Sequence, residues 1–85
     1  MMYEIYLELS AEKDLKSLPD KQTKIIIPKI KALSAQPYPR GVKKLKGSVN
    51  FWRIRFGSFR LIYEVDQSSK RINIYRIKHR KNVYK

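Results

Sequence analysis

FWRIRFGSFRLIYEV, residues 51–65, reads as two β-strands joined at Gly57-Ser58. A glycine followed by one other residue suits a two-residue type II′ turn, whose first position needs φ > 0. That turn pairs Phe56 with Phe59, Arg55 with Arg60, Ile54 with Leu61, Arg53 with Ile62 and Trp52 with Tyr63. Side chains alternate along a strand. Trp52, Ile54, Phe56, Phe59, Leu61, Tyr63 and Val65 therefore share a core face. Phe51, Arg53, Arg55, Arg60, Ile62 and Glu64 share the other. Arg55 directly faces Arg60, and like charges so placed destabilise a sheet. A face built this way implies an anionic partner.

The charge of the whole chain agrees. Its 85 residues carry 20 Lys and Arg against 7 Asp and Glu, a formal +13. Glu4, Glu8, Glu12, Asp14 and Asp20 all precede residue 21, and no acid occurs from Lys21 to Tyr63, where eleven bases do. A field of one sign over that length points to nucleic acid or a strongly acidic protein. The length allows one domain, residues 1–85. There is no cysteine, hence no disulfide or thiolate metal site. No run approaches the roughly 20 apolar residues of a membrane span, and the amino terminus does not read as a signal peptide. A soluble, cytoplasmic protein without membrane contact is expected.

Along the chain, Tyr3, Ile5, Leu7 and Leu9 share one side of a strand at residues 2–9. Ser10 suits an N-cap, with Glu12 and Asp14 near the positive helix end, and Ala11, Leu15 and Leu18 fall at helical spacing. A second helix from Asp20 to about Ala35 buries Ile26, Ile27, Ile30 and Leu33, with a kink expected before Pro28. Residues 36–41 form a loop, and residues 42–50 are irregular, anchored by Leu45. After the hairpin and a turn at residues 66–69 comes a strand at 71–77. Its apolar residues Ile72, Ile74, Tyr75 and Ile77 do not keep one phase, as in a central strand covered on both sides. The expected fold class is α+β: a βααβββ chain with a mostly antiparallel four-stranded sheet and an N-terminal helical hairpin on one face.

The chemistry on offer is narrow. There is no carboxylate cluster for a metal, no glycine-rich phosphate loop and no Ser/His/Asp set, so no cofactor is implied. His79 is the single histidine, which excludes a two-histidine ribonuclease. Arginine, lysine and tyrosine remain, an inventory that suits phosphate binding, with or without RNA cleavage. A 2′-hydroxyl can attack its own 3′-phosphate without metal when cations stabilise the developing charge and nearby groups move the protons. Arginine, planar and permanently charged, is the natural stabiliser.

KKLKG, then FWRIRFGSFRLIYEV, then IYRIKHRKNVY resembles the RelE/ParE toxin superfamily of type II toxin–antitoxin modules, most closely its RelE-like branch. The resemblance spans nearly the whole chain. It implies a toxin that enters the 30S A site of the ribosome and cuts mRNA there, neutralised by a cognate acidic antitoxin. Arg53 and Arg55 match a basic pair that is often lysine in the family, a departure that bears on proton transfer. Arg60 matches the central phosphate-binding arginine, Arg80 a late arginine near the leaving group, and Tyr84 a late tyrosine acting as base or stacking group. His79 stands where several relatives carry histidine. Lys43, Lys44, Lys46, Lys78 and Lys81 are the implied contacts to mRNA and ribosome.

Other readings stand beside these. Trp52 and Tyr63 read as core, not as base-stacking platforms, and His79 fits a bland position better than a catalytic one. The same fold serves ParE-like toxins, which bind DNA gyrase and cut no RNA, and a decayed toxin would bind RNA or antitoxin only.

Overall fold

The hairpin has the register expected of it. In the computed structural model, which describes residues 2–79, Phe51 pairs Glu64, Arg53 pairs Ile62, Arg55 pairs Arg60 and Phe56 pairs Phe59. Gly57 has φ +58°, and among the described residues the only non-glycine with positive φ is Lys70. A left-handed glycine followed by an ordinary Ser58 is the type II′ geometry. Ile54, Phe59, Leu61, Tyr63 and Val65 are buried, and Trp52 and Phe56 pack against them. Arg80, Lys81 and Tyr84 lie outside the described residues.

The elements run β1 (Glu4–Leu7), α1 (Leu9–Lys16), α2 (Asp20–Ala32), β2 (Lys43–Lys44), β3 (Phe51–Phe56), β4 (Phe59–Asp66) and β5 (Arg71–His79). The sheet has five strands in the order β1-β5-β4-β3-β2, not four. The extra strand comes from a stretch expected to be irregular: Lys43 pairs Arg53 and Lys44 pairs Trp52. Leu45 is only half-buried, and Val42 packs on the core instead. All neighbours are antiparallel except β1 and β5.

Both helices cover one face of the sheet. Ala11, Leu18, Ile26, Ile30 and Leu33 join the buried strand residues in one cluster. Helix α2 continues through Pro28, which is exposed. Its carboxyl end is stitched to the first strand: Tyr3 donates its N–H to the Ser34 carbonyl at 2.8 Å, and the Ser34 hydroxyl donates to the Tyr3 carbonyl at 2.6 Å.

Strand β5 explains the lost phase in the sequence. Tyr63 pairs Ile74 and Ile62 pairs Arg76, leaving Tyr75 without a partner. This is a β-bulge, one extra residue on one strand. It re-phases the strand, so that Ile72 and Ile74 before it and Ile77 after it all point to the core and are buried. The broken alternation reflects a bulge, not burial on both sides.

Beyond the bulge, β1 has ended and helix α1 takes its place along β5. Ser10 lies inside the helix, which begins at Leu9 with Glu8 as the flanking residue. It does not cap; its hydroxyl donates to the Tyr75 carbonyl at 2.6 Å. Asp14 accepts the Ile77 N–H at 2.9 Å and two bonds from the Arg76 guanidinium at 2.8 and 3.1 Å. Leu9, expected on the buried side of a strand, is the first helical residue and is exposed. A sheet edge left with unpaired backbone groups is costly, and these two side chains satisfy it.

Burial alone would raise the Asp14 pKa, but the Arg76 and Ile77 bonds and the nearby Arg76 and Lys78 charges outweigh it and hold the carboxyl below its ordinary value. A group depressed in the folded state stabilises above its unfolded pKa, and that stability is lost as pH falls through the folded value. Replacing Asp14 with Ala should lower the unfolding free energy by about 1–3 kcal/mol at pH 7. Denaturant titrations of both proteins should converge as the pH drops below the ordinary carboxylate range.

Candidate anion-binding face

Cross-strand pairs put side chains on the same side of a sheet. Arg55 pairs Arg60, and Arg60 pairs Lys78. The three form a row across β3, β4 and β5 on the face away from the helices. One repeat along the strands lies a second row, Lys43, Arg53, Ile62 and Arg76. Two residues of antiparallel strand separate the rows, about 7 Å. Among the described residues the one ion pair is Arg76 with Asp14, at 2.8 Å. The other five bases on this face form no ion pair among the described residues. Arg60, which in principle could have paired Glu64, does not; the Glu64 carboxylate accepts from Asn73 at 3.0 Å.

The bulge is what completes the first row. Without Tyr75 as an extra residue, alternation would send Lys78 to the core and Ile77 to the arginine face. Tyr75 itself packs at a tilt against Phe51, with ring centroids 4.9 Å apart, beside the two rows. Burial, and then the Glu64 and Glu8 charges, raise its pKa, so its hydroxyl stays protonated.

Several residues expected at the site are elsewhere. His79 is buried, pairs with Phe59 on the core face and packs edge-on against that ring at 4.7 Å. Its Nε2 lies 3.0 Å from the Ser58 hydroxyl, so it braces the turn from behind. Lys44 shares the side of Trp52, with its ammonium 6.0 Å from that ring. Lys46 sits in the turn between β2 and β3, at the end of β3 opposite Gly57. The structure thus brings together Arg53, Arg55, Arg60, Lys43 and Lys78, and leaves out His79, Lys44 and Lys46. It adds Arg76, whose place depends on the bulge, and Arg40, which shares a cleft with Lys43, Arg53 and Arg55. Among the described residues no three His, Cys, Asp or Glu side chains gather into a metal site, and no helix is long and apolar enough to cross a membrane.

A family model described as the ParE toxin of type II toxin–antitoxin systems matches residues 5–84. The chain belongs to that toxin family. Its character within the family is RelE-like. It is 34% identical to the RelE1 protein of Methanocaldococcus jannaschii across the whole of this chain and 98% of that protein. Among solved structures, the archaeal RelE–RelB complex from Pyrococcus horikoshii superposes with a TM-score of 0.80 at 32% identity, covering 94% of this chain and 97% of that one. The toxin–antitoxin complex RelBE2 of Mycobacterium tuberculosis gives 0.84 at 27%, covering 94% and 100%. On the sheet face that the helices leave uncovered, this toxin carries Lys43, Arg53, Arg55, Arg60 and Lys78, none of them in an ion pair among the described residues.

Crowded like charges lower stability at low ionic strength and are screened by salt. Arg55→Gln should raise the unfolding free energy of the toxin by about 0.2–1 kcal/mol in dilute buffer. The gain should shrink as sodium chloride is added. Denaturant melts at low and high salt check this; a variant no more stable than the parent at low salt contradicts it.

Proposed function

We propose that this toxin is a ribosome-dependent mRNA endonuclease acting in the 30S A site. The observation that carries the reading is the Arg55–Arg60–Lys78 row, three adjacent cations, none of them in an ion pair among the described residues. In the reaction the 2′-oxygen attacks the adjacent phosphorus in line, and the bond to the 5′-oxygen breaks. One group takes the 2′ proton and another protonates the leaving oxygen. Arg55 and Arg60 hold the non-bridging oxygens, whose negative charge grows in the transition state. Arg53, Lys43 and Lys78 hold neighbouring backbone, and Lys81 extends that contact. Arg80 serves the leaving group. No step needs a metal or cofactor.

Proton removal falls to Tyr84 in this reading, because His79 faces the core. A guanidinium near a phenol favours the phenolate, so a tyrosine brought to this row would serve as the base. The RelE–RelB relatives are toxin–antitoxin complexes; here an acidic antitoxin would cover the cation rows in the resting cell, since an uncompensated field of one sign attracts an oppositely charged partner.

Arg60→Ala should fold and lose cleavage by on the order of 10²–10³, read by mapping mRNA ends in a translation reaction. Cleavage at the parental rate by the folded variant overturns the assignment. If the unaltered toxin cuts no mRNA but blocks DNA gyrase, the ParE-like reading replaces this one.

Tyr84→Phe keeps the ring and removes the hydroxyl. Single-turnover cleavage on ribosomes should slow by at least about tenfold, and Tyr84→Ala should lose more because stacking goes as well. Equal rates for Tyr and Phe remove the hydroxyl from the chemistry.

A further inference from the structure

The short strand β2 creates a second site for an anion. It begins only at Lys43, opposite Arg53, so the edge of β3 beyond Arg53 has no strand beside it. The chain turns away there through Arg40 and Gly41, whose φ of +88° few side chains adopt. The gap is a cleft of about 370 Å³ lined by Arg40, Gly41, Lys43, Arg53, Ile54 and Arg55. Four of these six residues are cations and none is a carboxylate.

The loop that carries Arg40 is held in place. The buried Tyr63 hydroxyl donates to the Pro37 carbonyl at 2.7 Å, and burial keeps that phenol protonated far above its ordinary pKa. Tyr38 packs edge-on against Trp52 at 5.0 Å. Val42 donates its N–H to the Pro39 carbonyl at 3.1 Å and sets its side chain on the core. Pro37 and Pro39 fix two more backbone torsions. A cation on such a loop loses little freedom when it meets a ligand.

We infer that this cleft is a second phosphate subsite, in which Arg40 with Lys43 and Arg53 grips a non-scissile phosphate of the RNA whose scissile phosphate lies on the Arg55–Arg60–Lys78 row. Arg40 is then a positioning residue. It sets which linkage lies over the row without touching the reacting atoms. The spacing fits: Arg53 and Arg55 are two residues apart on one strand, about 7 Å, so a chain crossing both rows presents successive phosphates. Arginine suits the place because its fork takes two phosphate oxygens at once. The inference rests on the proposed RNA cleavage.

Ribosomes programmed with short mRNAs carrying one neutral methylphosphonate at a chosen non-scissile linkage provide the test. On unmodified mRNA, Arg40→Ala should raise the half-saturating toxin concentration roughly tenfold and leave the maximal single-turnover rate within about threefold. Arg40→Lys should recover part of the loss. One methylphosphonate position should weaken the unaltered toxin by a similar factor and have little effect on Arg40→Ala, because the contact is already gone. Arg40 is exposed, so an unchanged thermal midpoint should accompany these effects. Half-saturation of Arg40→Ala at the parental concentration overturns the subsite, as does equal weakening of both proteins at every linkage, the result expected if Arg40 meets ribosomal RNA or a protein carboxylate. If the unaltered toxin does not cleave at all, the function itself falls and the subsite with it.

Discussion

The two-residue turn at Gly57 is the constraint on which everything downstream depends. A slip of one residue in the β3–β4 register would exchange the two faces of the hairpin, because side chains alternate with a period of two. The buried set of Ile54, Phe59, Leu61, Tyr63 and Val65 makes that exchange costly, at about 25 cal/mol for each Å² of apolar surface returned to water. The repulsion between Arg55 and Arg60 is smaller, within about 1 kcal/mol. The core therefore wins, and the charges are held opposed. Hydrophobic burial on one face keeps an unfavourable arrangement in being on the other.

The same division of labour recurs at the edges. Strand β5 outlasts β1, and α1 closes the exposed length through Ser10 and Asp14. Asp14 also takes Arg76 out of the free cation set, leaving Lys78, two residues on, outside any ion pair among the described residues. At the far edge β2 stops after two residues, and the edge beyond it opens into a cleft lined with bases.

What could be read from the sequence was what depends on near neighbours. The hairpin register, the arginine face and the core of β4 follow from alternation around one glycine, and all three are present in the structure. The helical hairpin followed from apolar spacing. The errors arose where tertiary contacts override a local signal. Ser10 has the chemistry of a cap but bonds a strand 65 residues away. Residues 71–77 lost their phase, and periodicity alone does not distinguish a bulge from burial on both sides. The difference decides where Lys78 points. The alternating fates of Lys43 and Lys44 depend on a strand of two residues, too short to leave a pattern. Arg40 gave no signal, because its position depends on where Tyr63 and Trp52 hold the preceding prolines. His79 entered the candidate site through the family resemblance alone, with a bland position the better reading, and the re-phased strand carries it to the core.

The parallel pairing of β1 with β5 joins residues 4–7 to residues 71–74. Loops that long close slowly, and such contacts form late in folding. During synthesis the chain emerges from its amino end, so β1 waits without a neighbour until β5, the last of the described elements, has been made. Lys78 lies on that strand, and the three-cation row needs it. The polypeptide is therefore unable to present the complete Arg55–Arg60–Lys78 row while it is still short of β5. For a protein proposed to attack ribosomes, strand order alone delays activity until β5 has been made.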